Sequence, residues 1–144
     1  MKNKRVIGVI PARYQSSRLP GKALKDIYGK PMIYWVAKRV EASNLKEYYV
    51  ATDDDRIFAV CQRYLIPCIM TSAECLNGTE RVSEVATKIK ADYYVNIQGD
   101  EPCIKIDAIN TFVASLQKFK QVDFIQAVSK IAETESISSE SIVK

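Results

Sequence analysis

Histidine is absent from all 144 residues. That removes every mechanism in which an imidazole activates a serine or cysteine. It also removes most zinc sites, because cysteine stands alone at 61, 68, 75 and 103 with no Cys-x-x-Cys pair. The simplest expectation for these thiols is four buried, reduced side chains. The five glycines do not fall into G-x-G-x-x-G, which argues against a nicotinamide cofactor, nor into G-x-x-x-x-G-K-[ST], since Lys22 is followed by Ala23. No apolar run reaches membrane-spanning length: Val6–Ile10 is followed at once by Pro11, Ala12 and Arg13. The basic start, Met1 to Arg5, precedes too short an apolar stretch for a secretory leader and no small-residue cleavage site, so a cytoplasmic protein is expected. The net charge of +4 is carried by residues spread along the chain rather than in a stripe interleaved with aromatics. That pattern suits a small anionic ligand and gives no reason to expect nucleic acid or a membrane as partner.

What is present is an alternation of short apolar runs and helical periodicities within a length suited to one domain, residues 1–144. Strands are expected at Val6–Ile10, Tyr48–Thr52, Cys68–Met70, Tyr93–Ile97 and Phe124–Val128. Helices are expected over 31–43, with Pro31 in the first turn, after the acidic triplet Asp53–Asp55, over 78–89 with Thr79 as a cap, and over 105–118. The order implies an α/β layer fold, a mainly parallel sheet flanked by helices. The polar stretch 133–141 gives way to Ile142-Val143-Lys144, which reads as the start of another strand, so the chain is expected to stop part-way through an element.

In such sheets ligands bind beyond the carboxyl ends of the strands. The loop after the first strand, Pro11 to Lys22, gathers Arg13, Arg18 and Lys22 with Ser16, Ser17 and Gly21. Arginine makes planar, bidentate contact with phosphate oxygens and lysine supplies a point charge. A polyphosphate-binding loop and a solvated surface loop both fit. After the fourth strand comes Asn96-Ile-Gln-Gly-Asp-Glu-Pro102. Asp100 there is either a ligand for Mg²⁺ shared with substrate phosphates or a turn residue bonding its own backbone. Gln98 would present its amide to a sugar hydroxyl or a base. The segment Met70 to Arg81 reads as an N-cap loop or as a base-reading surface in which Gly78 permits close approach. The Asp53–Asp55 triplet reads as helix capping or as a metal cluster; capping is the simpler reading because adjacent side chains diverge.

The stretches IPARYQSSRLPGKAL (10–24), GKPMI (29–33), VATDD (50–54), NGTERV (77–82) and NIQGDEP (96–102) together resemble the 3-deoxy-manno-octulosonate (KDO) cytidylyltransferases, over nearly the whole chain. The resemblance implies a Rossmann-like nucleotide-diphospho-sugar transferase fold, Mg²⁺-dependent use of CTP, and transfer of CMP to an acidic 3-deoxy sugar for surface-polysaccharide synthesis. Carried over by position, Pro11, Ala12, Arg13, Ser16, Arg18 and Lys22 would hold the nucleotide and its phosphates. Thr71, Ser72 and Gly78 would line the cytosine pocket, Gln98 would face the sugar or nucleotide, and Asp100 would bind Mg²⁺. Lys22 and Asp100 are the expected catalytic pair. Departures stand at Ser72, where members often carry Arg, and at Cys75-Leu76, where they carry His-Gln. Members are also longer; the further part supplies a second Mg²⁺-binding Asp, much of the sugar site and a homodimer contact. Two alternatives accompany this reading: a nucleotide-binding remnant or interaction module without catalysis, and a nucleotidyltransferase for a sialic-type acid.

Overall fold

The computed structural model describes residues 4–16, 18–119 and 122–128. Four parallel strands form its sheet: β1 (Val6–Pro11), β4 (Tyr48–Thr52), β5 (Cys68–Met70) and β6 (Tyr93–Asn96), in the order β5-β4-β1-β6. β1 is central, with Val9 opposite Tyr49 on one side and Asn96 on the other. Its unbroken apolar run is what a strand covered on both faces requires. The period of two divides it cleanly. Val6 and Ile10 face a large core built with α1 (Met32–Glu41), α2 (Asp55–Arg63) and α4 (Ile106–Lys118), through Ile33, Val36, Val40, Ile57, Cys61, Ile109 and Leu116. Ile7 and Val9 face the other way, onto Val85 of α3 (Gly78–Lys88). All strand C-termini therefore open at one edge.

The helix starts follow local chemistry. The Asp54 carboxylate caps α2 by accepting from the Arg56 N–H at 3.0 Å, so capping is the role of the acidic triplet's middle member. α3 is capped by Asn77, not Thr79: Asn77 Oδ1 accepts from Glu80 N at 2.9 Å, and Glu80 reaches back to accept from Leu76 N at 2.8 Å, one residue before the N-cap that an ordinary capping box would use. Pro31 is the N-cap of α1 rather than part of its first turn, with extended ψ of 150°. A hairpin absent from the expected elements pairs β2 (Asp26–Ile27) with β3 (Lys30–Pro31). Its central residues, Tyr28 (φ 50°) and Gly29 (φ 77°), both lie in the left-handed region, as a tight two-residue hairpin turn demands.

Two expectations are corrected. Phe124–Val128 is not a strand: it has no backbone partner along β6, and Phe124 and Val128 stand exposed while Ile125 rests on the core. The apolar pattern is strand-like, but a strand exists only where a neighbour satisfies its amides. The four thiols are also not uniformly buried. Cys61 is buried, Cys68 and Cys75 are partly so, and Cys103 is exposed because it sits in the turn beyond β6; all four are free. The strand start expected at Ile142–Lys144 lies outside the described residues. Among the described residues no helix is long and apolar enough to cross a membrane.

Candidate active site

The loop after β1 and the loop after β6 leave the sheet side by side. Gly99 makes this possible: a Cβ there would lie 2.5 Å from the Pro11 carbonyl oxygen, so the two backbones touch where only glycine fits. The cationic loop folds back on itself through Gly21, whose left-handed backbone (φ 67°) lets its N–H donate to the Tyr14 carbonyl at 2.7 Å. A single 3₁₀ turn, Lys22–Leu24, follows. It directs the Lys22 ammonium to 2.6 Å from Asp100 Oδ2, bridging the cationic and acidic loops. Both side chains remain well exposed, at 38% and 50%, so the pair is open to a ligand rather than sealed.

A cleft of about 640 Å³ spans this junction. Of the residues expected from the sequence, Pro11, Ala12, Arg13, Ser16, Arg18, Lys22, Gly78, Gln98 and Asp100 line it together. Three accessible cations (Arg13, Arg18 and Lys22) line it with one carboxylate, Asp100; a fourth cation of the described wall, Arg81, is buried and paired with Asp53. That balance is built for a polyanion. Thr71 and Ser72 are not in the wall. The Thr71 hydroxyl is buried and accepts from the Arg81 guanidinium, while the Ser72 N–H donates to Glu84 Oε2 at 2.8 Å. Thr71 lies behind the cleft and reaches it through Arg81, whereas Ser72 is exposed and meets Arg81 only through its carbonyl, at 3.4 Å. Glu101, the acidic neighbour of Asp100, faces a separate groove beside β6.

Sequence reasoning did not single out Arg81 or Asn77. Arg81 is 3% exposed, an unusual state for arginine, and Asp53 at the end of β4 stands 3.4 Å from it. The signal was its position in α3, one turn after the N-cap Asn77, on the same helical face as Val85. Glu84, one turn further, is held down at about 2 by its hydrogen bond to Lys88, the Ser72 amide and the Cys75 thiol. It therefore stays ionised and pins the loop that carries Cys75 against α3.

A family model described as cytidylyltransferase matches residues 7–144. The chain belongs to the cytidylyltransferase family. Over 139 residues it is 42% identical to the 3-deoxy-manno-octulosonate cytidylyltransferase of Fusobacterium nucleatum, covering 96% of this chain and 57% of the relative. It is 47% identical over 130 residues to the mitochondrial 3-deoxy-manno-octulosonate cytidylyltransferase of Arabidopsis thaliana, covering 88% of this chain and 45% of that one. Among solved structures, a CMP:2-keto-3-deoxy-manno-octonic acid synthetase complexed with CTP superposes with a TM-score of 0.77 at 44% identity, over 79% of this chain and 48% of the other. A cytidylyltransferase from Leptospira borgpetersenii shares the fold, with a TM-score of 0.70 at 24% identity. The chain thus spans about half the length of the relatives it matches.

Proposed function

We propose that this chain provides the nucleotide-binding part of a CTP-dependent transferase that places CMP on an acidic 3-deoxy sugar of the KDO type and releases pyrophosphate. The observation that carries the reading is the Lys22–Asp100 contact, which joins a cationic loop to a carboxylate across one cleft. Support also comes from the relatives, whose names specify KDO and, for one structure, CTP.

In this reading Arg13, Arg18 and Lys22 take the phosphate oxygens, Ser16 adds a hydroxyl donor, and Pro11 and Ala12 shape the wall beside them. Gly78, at the start of α3, lets the Pro11 ring pack close to the helix and so shapes the end that would take the base, and Thr71 and Ser72 support that end through Arg81. Gln98 is left to meet the sugar or ribose. The sugar's anomeric hydroxyl attacks the α-phosphorus and gives up its proton to solvent, the new P–O bond forms, and the bond from the α-phosphorus to the bridging oxygen breaks as pyrophosphate leaves. The protein's part is alignment and charge neutralisation, since the phosphorus chemistry needs no covalent intermediate.

The donor set fits Mg²⁺ shared with substrate. Asp100 offers one accessible carboxylate, and among the described residues no three His, Cys, Asp or Glu side chains gather into an all-protein cage. Mg²⁺ commonly takes one or two carboxylates and fills its shell with phosphate oxygens and water. Bound there, it would neutralise developing charge on the phosphates and polarise the α-phosphoryl group. The free thiols, Cys103 exposed among them, fit work in the reducing cytoplasm.

A pyrophosphate-release assay with CTP, Mg²⁺ and KDO tests the proposal, alongside calorimetric titration with CTP. Turnover supports the transferase. CTP binding without turnover leaves a nucleotide-binding module, and failure to bind CTP overturns both. Substituting a sialic acid for KDO in the same assay decides the sugar class.

A further inference from the structure

The cationic loop is held in shape by a side chain that does not line the cleft. Tyr14 lies between the phosphate-facing residues and the body of the fold, partly buried against the main core. Its carbonyl accepts the Gly21 N–H at 2.7 Å and closes the loop. Its ring edge then abuts Gly21, where an added Cβ would lie 2.9 Å from Cε2 and 3.1 Å from Cζ. The ring face carries the Arg56 guanidinium, with Cζ 3.3 Å from the centroid. Arg56 is itself fixed by Asp54, through Nε to Oδ1 at 3.0 Å and Nη2 to Oδ2 at 2.7 Å. Asp54 is the N-cap of α2, which is anchored in the core by Ile57 and Cys61. A continuous path of contacts therefore runs from the rigid start of α2 to the residue immediately before Lys22.

We propose that Tyr14 is a positioning residue: clamped by Arg56, its ring holds Gly21, and so Lys22, in the phosphate-ready geometry before nucleotide arrives. This rests on the reading of the cleft as a CTP site. The physical reason is preorganisation. A loop with several polar side chains pays its ordering entropy either during folding or at binding, and a stacked clamp shifts it to folding. A cation over an aromatic face is suited to the task because it is attractive without requiring a buried hydrogen bond. It also gives the Asp54–Arg56 pair a task beyond helix capping. The phenol oxygen also borders Gly21, 3.3 Å from where a Cβ would lie, but the stacking with Arg56 and the nearest edge contacts are made by the ring, so a phenylalanine keeps the clamp.

The test is calorimetric titration of the 144-residue chain and its variants with CTP and, separately, with inorganic tripolyphosphate. Y14L and R56Q should each weaken both ligands about tenfold, equivalent to ~1.4 kcal/mol. Y14F, which keeps the ring, should restore binding. The double variant should be no weaker than Y14L alone, since both substitutions cut the same path. A structural role without positioning would lower thermal stability while leaving the affinities of the folded variants unchanged, and that result overturns the inference. Additive losses in the double variant would overturn it too. Should Y14L not fold, R56Q decides alone, because the Arg56 side chain is 59% exposed and lies outside the core. Absence of CTP binding by the unaltered chain would overturn the parent reading as well; wild-type affinity in Y14L would overturn the clamp alone.

Discussion

The buried guanidinium of Arg81 stands 3.4 Å from Asp53 Oδ1, joining helix α3 to the end of strand β4 directly behind the cleft. Arg81 also donates to the Thr71 hydroxyl and, at 3.4 Å, to the Ser72 carbonyl. One side chain thus ties two strand ends to one helix. Among the described residues Asp53 Oδ1 has no other partner, and it is shielded from water. Arg81→Ala should strand that oxygen and the Thr71 hydroxyl, destabilising the fold by about 2–4 kcal/mol. Urea unfolding monitored by circular dichroism measures the loss. A change under about 0.5 kcal/mol would mean that the pair is relaxed by water.

Lys22→Ala separates binding from folding. Lys22 and Asp100 are both substantially exposed, so their ion pair contributes under about 1 kcal/mol to stability. Loss of a charged contact to phosphate should nevertheless weaken CTP binding about tenfold or more. Calorimetry beside a melting curve gives both values, and unchanged CTP affinity would remove Lys22 from the phosphate site. Asp100→Ala should abolish Mg²⁺-dependent turnover in a catalytically active form, and retained activity would reject it as the metal ligand.

Gly99→Ala forces a methyl group to within 2.5 Å of the Pro11 carbonyl oxygen, a backbone atom that cannot swing aside. The two cleft loops must part. The expected cost is about 1–3 kcal/mol in stability, accompanied by weaker nucleotide binding. Wild-type behaviour in both measurements would show that the loops do not depend on this contact.

Glu84 gives stability a dependence on acid. Lys88, foremost, with the Ser72 amide and the Cys75 thiol, holds its carboxyl at about 2, below the ordinary value of ~4.3. A group whose folded value is depressed stabilises above its unfolded value and loses that contribution as pH falls through the folded one. The stability gap between wild type and Glu84→Gln should therefore be full near neutrality and shrink between about pH 4.3 and pH 2. Denaturant midpoints across that range measure it. A gap that stays constant would place the effect elsewhere.

Thiol reactivity should follow position. Cys103 is exposed, whereas Cys61 is buried and its thiol is pushed up by a hydrogen bond with Cys68 and by burial. A disulfide reagent added to the folded chain should label Cys103 first and Cys61 only on unfolding. Mass spectrometry of labelled peptides reads the order, and early labelling of Cys61 would contradict the packing of α2 on the sheet.

Much of the fold was legible because it rests on local signals. The apolar run at Val6–Ile10, the β-rich Tyr48–Thr52 and the periodicity of Val82, Val85 and Ile89 each carry their own period. The loop chemistry was legible for a similar reason: phosphate needs cations and tight turns, and both are written in residues 11–22. Phe124–Val128 failed because pairing is not a property of a segment. The hairpin at Asp26–Pro31 was missed because Tyr28 takes a left-handed turn position more often held by Asn or Gly. Arg81 was missed because burial of a charge depends on partners just beyond the ends of two strands, Asp53 after β4 and Thr71 after β5.

The sequence by itself determined the order of strands and helices, the cationic character of one loop and the acidic tip of another, since periodicity and side-chain type act over neighbouring residues. Tertiary structure alone decided that these two loops meet, that Thr71 turns inward toward Arg81, and that Tyr14 braces Gly21. Those outcomes depend on which strands lie adjacent in the sheet. Strand order is set by burial of whole faces across long chain separations, which no local window of residues contains.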